Sequence, residues 1–118
     1  MNFLKKRIQA FGFAINGLFA AIKTESHLQI HLVATLVVVI ASVYFKISKT
    51  EWIAIIICCG TVIASELFNS AIEKVCDIIS PEKNHKIKFI KDVSAAAVLV
   101  LSLMSIFVAV FIFASTYF

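Results

Sequence analysis

The chain of 118 residues is 61% hydrophobic and only 15% charged, with a mean hydropathy of +0.99 and a formal net charge of +4. Soluble domains carry roughly 45–50% apolar and about 25% charged residues, so this balance excludes an ordinary water-soluble enzyme and indicates an integral membrane protein. One domain, 1–118, is expected, because one Pro and three Gly leave no room for a flexible linker.

The first predicted element is a surface helix over 1–24. Leu4, Ile8, Phe11, Ile15, Leu18 and Ile22 recur at alternating spacings of four and three, one face of a helix, while Lys6, Gln9, Asn16 and Lys23 fall largely off that stripe. An amphipathic helix lying in the headgroup layer has this pattern. The polar interruptions argue against the apolar core of a cleaved signal peptide, although Lys5, Lys6 and Arg7 precede it.

Three transmembrane helices follow, over 28–45, 52–72 and 93–118, since about 20 apolar residues cross a bilayer core. His27 and His31 stand one turn apart at the start of the first, and without a matching acidic partner on that helix they read as interfacial polar contacts. Cys58, Cys59 and Cys76 lack a CxxC spacing and read as small apolar packing residues.

The second span breaks the apolar pattern with Glu66, Asn69, Ser70, Glu73 and Asp77. At about 100° per residue these fall on one stripe, and Glu66 lies about 10 Å along the axis from Glu73. A carboxylate within a span is costly enough to be a functional candidate by default. Asp77 and Glu73 alone could be helix-end charges facing headgroups; Glu66 and Asn69 resist that reading. Paired carboxylates could hold Mg²⁺, which arrives with phosphates, and Lys91 at the mouth of the third span supplies a cation.

Topology follows from the basic residues. Lys5, Lys6, Arg7 and Lys23 precede the first span; Lys74, Lys83, Lys86, Lys88 and Lys91 lie in the expected loop from Lys74 to Asp92; only Lys46 and Lys49 lie on the other side. The N-terminus and that loop are therefore expected in the cytoplasm, and the positive charge reads as topology and anionic-lipid contact, with no nucleic-acid partner.

"ELFNSAIEKVCD" (66–77), followed by "KFIKDVSAAAVL" (88–99), resembles the signature of the prokaryotic membrane diacylglycerol kinase and undecaprenol kinase family. "GLFAAIKTE" before the first span, "KTEW" before the second and the loop with His85 extend the likeness through the whole chain. The resemblance implies an all-α homotrimer in the bacterial cytoplasmic membrane, with sites shared between subunits, that transfers phosphate from ATP to a lipid alcohol with Mg²⁺. No GxxxxGK or kinase-type GxGxxG is present, in keeping with phosphates held by other means.

Carried over position by position, the resemblance makes Glu66 the catalytic carboxylate, Asn69 its neighbour in substrate binding, Glu25 and Glu73 metal ligands, and Lys91 and Asp92, with those glutamates, the nucleotide side. Asp77 and Lys88 match the pattern without a defined role. Phe19, where many relatives are basic, and Ser94, Ala95 and Ala96 depart from it and bear on substrate preference and packing. "TESHLQIH" and "KTEW" look closer to the undecaprenol branch. Independently of the family, buried carboxylates need covering by another subunit, and the small residues Ser94 to Ala97 allow close helix contact. The alternative reading is a small proton-coupled transporter or channel subunit using Glu66, which would not need Glu73, Lys91 and Asp92.

Overall fold

The computed structural model describes residues 2–82 and 84–117, without the side chains of 116 and 117. Lys83 of the expected loop and Phe118 at the end of the third expected span lie outside the described residues. The chain forms α1 (Phe3–Thr24), α2 (Ser26–Tyr44), α3 (Lys49–Ile79) and α4 (His85–Tyr117). Three of them, α2, α3 and α4, are long and apolar enough to cross a membrane.

Helix α1 starts at Asn2, whose side chain accepts from the Lys5 amide (2.9 Å), and ends at Glu25, an extended residue that also precedes α2. Gln29 Nε2 donates across the break to the carbonyl of Ile22 (2.8 Å), one of the acceptors that a helix end leaves unpaired. Leu4, Ile8 and Phe11 of the expected stripe are exposed, so its first half is left uncovered by the described residues, whereas Ile22 at its end is half-buried, like Ala21 beside it, where α1 comes to α2 and α3.

The turn between α2 and α3 is built from caps. Lys46 has φ 52°; its amide donates to the Val43 carbonyl, and the Ile47 amide donates to the Ser42 carbonyl (both 3.3 Å). This is the Schellman arrangement, in which the left-handed position favours glycine. Ile47 then turns inward, and Ser48 caps α3: its hydroxyl accepts from the Glu51 amide (3.2 Å) while Glu51 Oε1 accepts from the Ser48 amide (2.9 Å). Glu51 of the "KTEW" segment therefore has a structural task in this capping box.

The segment from Lys74 to Asp92 is mostly helical, not a loop. Helix α3 continues to Ile79 and α4 begins at His85, leaving 80–84 as the connection. Turn chemistry decides those limits: Pro81 cannot extend α3, and Asn84 Oδ1 accepts from the Ile87 amide (3.0 Å) at the start of α4. At 1.5 Å per residue α3 is about 46 Å long against a hydrocarbon core of about 30 Å, so its ends project beyond the core.

Packing follows three stripes of three-and-four spacing. Leu28, His31, Thr35, Val38 and Ser42 on α2, Ile55, Val62, Glu66, Asn69 and Cys76 on α3, and Ser94, Val98, Leu101, Ser105, Val108 and Ile112 on α4 are buried or half-buried. Antiparallel α3 and α4 form the most extensive contact, and α2 packs against α3. Near the α2–α3 turn the core is apolar, with Ile47, Ile55 and Ile112 surrounded by Phe45, Trp52 and Phe113. Toward the other end of α3 the same stripe becomes polar. Several hydroxyls within the spans close on their own helices, as Ser42 does on the Val38 carbonyl and Thr61 on the Ile57 carbonyl (both 2.8 Å), which satisfies those groups without water.

Because a side chain in the left-handed region costs roughly 1–2 kcal/mol, Lys46→Gly is expected to stabilise the protein by about 1 kcal/mol in denaturation by sodium dodecyl sulfate in mixed micelles. A destabilised variant would mean that the Lys46 side chain contributes more than its backbone strain removes.

Candidate active site

Glu66, Asn69 and Glu73 come together because they lie four and three residues apart on the face of α3 that meets α2 and α4. Glu66 is 3% exposed and Asn69 is 6% exposed, so this polar patch lies inside the bundle. Asn69 Nδ2 donates to Glu73 Oε1 (3.2 Å) and stands 3.5 Å from Glu66 Oε1. On the other side of the amide, Ser94 Oγ of α4 donates to Asn69 Oδ1 (2.7 Å). One amide thus separates two carboxylates and ties them to the next helix.

The second oxygen of Glu66 meets α2: His31 Nε2 lies 3.5 Å from Glu66 Oε2. A reading of His27 and His31 that seeks an acidic partner on their own helix misses this contact, because the partner is on α3. The available signal is the presence of His31 on the inward stripe of an apolar helix, where an imidazole needs a partner. Ser94 is missed for a related reason: as a small residue it suits close packing, and only the register of α4 on α3 brings its hydroxyl to Asn69.

The other expected site residues pair away from this patch. Lys91 Nζ donates to Asp77 Oδ1 (2.7 Å), joining α4 to the end of α3, and Lys88 pairs with Asp92 within α4. Glu25 Oε1 is 3.9 Å from Lys74 Nζ, which brings the α1–α2 break beside the turn of α3 that carries Glu73. A cleft of about 450 Å³ opens at the α3–α4 connection, lined among others by His85, Lys88, Lys91 and Asp92. A separate, mostly apolar groove of about 320 Å³ runs beside His31, Val38, Val62 and Ile106.

Among the described residues no group of three or more His, Cys, Asp or Glu side chains could enclose a metal. Glu25 and Glu73 instead offer one carboxylate each, which fits Mg²⁺, an ion usually held by one or two carboxylates together with water and phosphate oxygens. Glu73 keeps an oxygen beyond the one taken by Asn69, and the exposed Lys74 holds Glu25 only at 3.9 Å.

The Ser94–Asn69 hydrogen bond is testable by a double-mutant cycle. Ser94→Ala and Asn69→Ala are expected to show a coupling energy of about 1 kcal/mol in mixed-micelle unfolding, within the range for hydrogen bonds between membrane helices. A coupling near zero would remove the α3–α4 tie from the account.

The profile of the prokaryotic diacylglycerol kinase family matches residues 12–113. An undecaprenol kinase of Bacillus subtilis is 31% identical over 112 residues, covering 95% of this chain and 91% of the relative. A diacylglycerol kinase of Pseudomonas aeruginosa is 30% identical over 94 residues, covering 80% of this chain and 76% of the relative. The match extends across all four helices and includes the buried Glu66–Asn69–Glu73 patch, and the chain belongs to the prokaryotic diacylglycerol kinase family of lipid kinases.

Proposed function

We propose that this protein is an ATP- and Mg²⁺-dependent kinase of a membrane lipid alcohol, with Glu66 as the base. The observation that carries the proposal is a buried carboxylate on a membrane-competent helix, linked through Asn69 to a second carboxylate two turns nearer the helix end. A lipid hydroxyl at Glu66 donates its proton to the carboxylate as its oxygen bonds to the γ-phosphorus of ATP. The bond from that phosphorus to the β,γ-bridging oxygen breaks, and ADP leaves. Phosphoryl transfer needs alignment and charge neutralisation more than covalent participation by the protein.

Asn69 orients Glu66 and contributes to alcohol binding. Glu25, Glu73, Lys91 and Asp92 form the nucleotide side, where the cleft beside Lys88 and Lys91 offers cationic groups to phosphates. Glu25 and Glu73 would hold Mg²⁺, which when bound neutralises phosphate charge. Undecaprenol is favoured over diacylglycerol, because the undecaprenol kinase relative matches over more of this chain.

The active species is a homotrimer in the bacterial cytoplasmic membrane, with the N-terminus and the α3–α4 connection in the cytoplasm and α1 lying on the membrane surface. The basic residues support that orientation. Apolar side chains exposed along α2 and α4 suit contact with lipid or with neighbouring subunits.

Sealed inside-out vesicles given labelled ATP and either lipid are expected to form labelled phospholipid, whereas right-side-out vesicles with external ATP are not. Glu66→Gln should abolish the product without dissociating the oligomer. Product from neither vesicle preparation, or normal turnover by Glu66→Gln, would overturn the kinase assignment or the role of Glu66, respectively. Glu25→Gln and Glu73→Gln should each raise the Mg²⁺ concentration for half-maximal rate by at least about tenfold, the scale on which even outer-shell partners change metal affinity. Unchanged metal dependence in both would reassign them to structure.

A further inference from the structure

Glu66 is approached from two helices. Asn69, three residues along α3, reaches Oε1, and His31 on α2 reaches Oε2, each at 3.5 Å. Among the described residues no other polar side chain is within hydrogen-bonding or ion-pairing distance of this carboxylate. The side chain of Glu66 is 5% exposed and that of His31 is 23% exposed, so the contact is largely shielded from solvent. We propose that His31 is a second positioning residue of Glu66, beside Asn69, its Nε2–H holding Oε2 so that the remaining lone pairs of the carboxylate face the incoming alcohol.

The inference deepens the reading of Glu66 as the base and rests on it. A glutamate has three side-chain torsions, and an amide on the same helix fixes it only relative to that helix. The alcohol, however, is delivered by the bundle as a whole. A donor on α2, once closed from 3.5 Å to hydrogen-bonding length, ties the carboxylate to a second helix, which helps to hold a general base within reach of the proton it removes. The length of 3.5 Å suits a contact that tightens when substrate binds.

Two features of the sequence and structure favour a positioning role over simple packing. The inward stripe of α2 is otherwise apolar or hydroxylic, with Leu28, Thr35, Val38 and Ser42, so an aliphatic residue at 31 would fill the same space without needing a partner. His31 also borders the apolar groove beside Val38, Val62 and Ile106, which puts the ring between the carboxylate and surface open to lipid chains. His27, one turn earlier, is exposed and supplies an internal control.

Steady-state transfer in mixed micelles, with ATP and each of the two lipid alcohols, tests the assignment using His31→Leu, His31→Gln, His27→Leu and Glu66→Gln. Removing the donor in His31→Leu should lower kcat by about 10- to 100-fold, the scale of a misplaced reacting group. Its KM for ATP should stay within about twofold of the wild-type value, because the nucleotide side is untouched. His31→Gln, whose amide N–H reaches a similar position, should recover most of kcat, and His27→Leu should match the wild type. In ¹⁵N-histidine spectra, Glu66→Gln should shift the Nε2 resonance of His31 and leave that of His27 in place.

Wild-type kcat in His31→Leu, or equal losses in His31→Leu and His31→Gln, overturns the positioning role; with an inactive Glu66→Gln the base reading stands. An active Glu66→Gln overturns both. If His31→Leu does not assemble, His31→Gln and the spectra decide: an active His31→Gln together with a shifted His31 Nε2 supports the role, and an inactive His31→Gln or an unshifted resonance overturns it.

Discussion

Two carboxylates on one helix face, Glu66 buried and Glu73 half-buried, repel each other, and Glu66 lacks the solvation that would make its charge tolerable. The side chain of Asn69 answers both problems. An amide nitrogen carries two donors; at Asn69 they face Glu66 and Glu73, while the amide oxygen accepts from Ser94. Reversing the amide would put its oxygen against two anions. Since a serine hydroxyl can donate or accept, the carboxylates fix the direction of the amide and Ser94 adjusts to it. The polar half of the bundle depends on this single group, because it converts a stripe of charges into a chain of donors and acceptors that continues into α4.

The same helix face that carries the site also carries the core. Along α3 the inward positions run from Ile55 and Val62 to Glu66, Asn69 and Cys76 with little change in spacing. Opposite them α4 runs in reverse from Ile112 to Ser94, so apolar residues meet apolar ones at one end and Ser94 meets Asn69 at the other. Outward positions such as Val33, Val37, Leu103 and Phe107 are exposed and apolar. The result reverses the usual arrangement of a soluble enzyme, with apolar side chains outside and polar chemistry inside, as a lipid solvent requires. Rigid packing at the α2–α3 turn therefore sets the register in which the polar residues meet at the far end.

That division explains what could be read in the sequence. The three spans follow from hydropathy, and the association of Glu66, Asn69 and Glu73 follows from helical spacing, because both are properties of one helix at a time. Helix limits are less legible: residues 74–79 and 85–92 are polar enough to suggest a loop, yet Pro81 and Asn84 confine the break to 80–84. Contacts between helices are not legible at all from periodicity. His31 with Glu66, Ser94 with Asn69 and Lys91 with Asp77 each depend on axial register, and a shift of one turn would separate all three pairs. Glu51 shows the converse, since its tie to Ser48 is local and the capping-box spacing was available in the sequence.

The ionic contacts differ in a way that bears on turnover. Lys74 with Glu25, Lys88 with Asp92 and Lys91 with Asp77 are paired at exposed or half-exposed positions, where ion pairs are weak and readily screened. Under the kinase mechanism proposed above, a triphosphate arriving at that end can exchange places with the acidic partners of these lysines at little cost, and it can leave again as ADP. The contacts of Glu66 and Asn69 are buried and have no solvent to replace them, so the same exchange there would leave a carboxylate unpaired. A kinase without a phosphate-binding glycine loop can thus hold its nucleotide with interchangeable surface charges, provided that the group receiving the proton stays fixed. Under the proposed mechanism, the need for a rigid interior would be met by placing Glu66 beside α2 and α4, and the need for release by leaving the lysines at the helix ends.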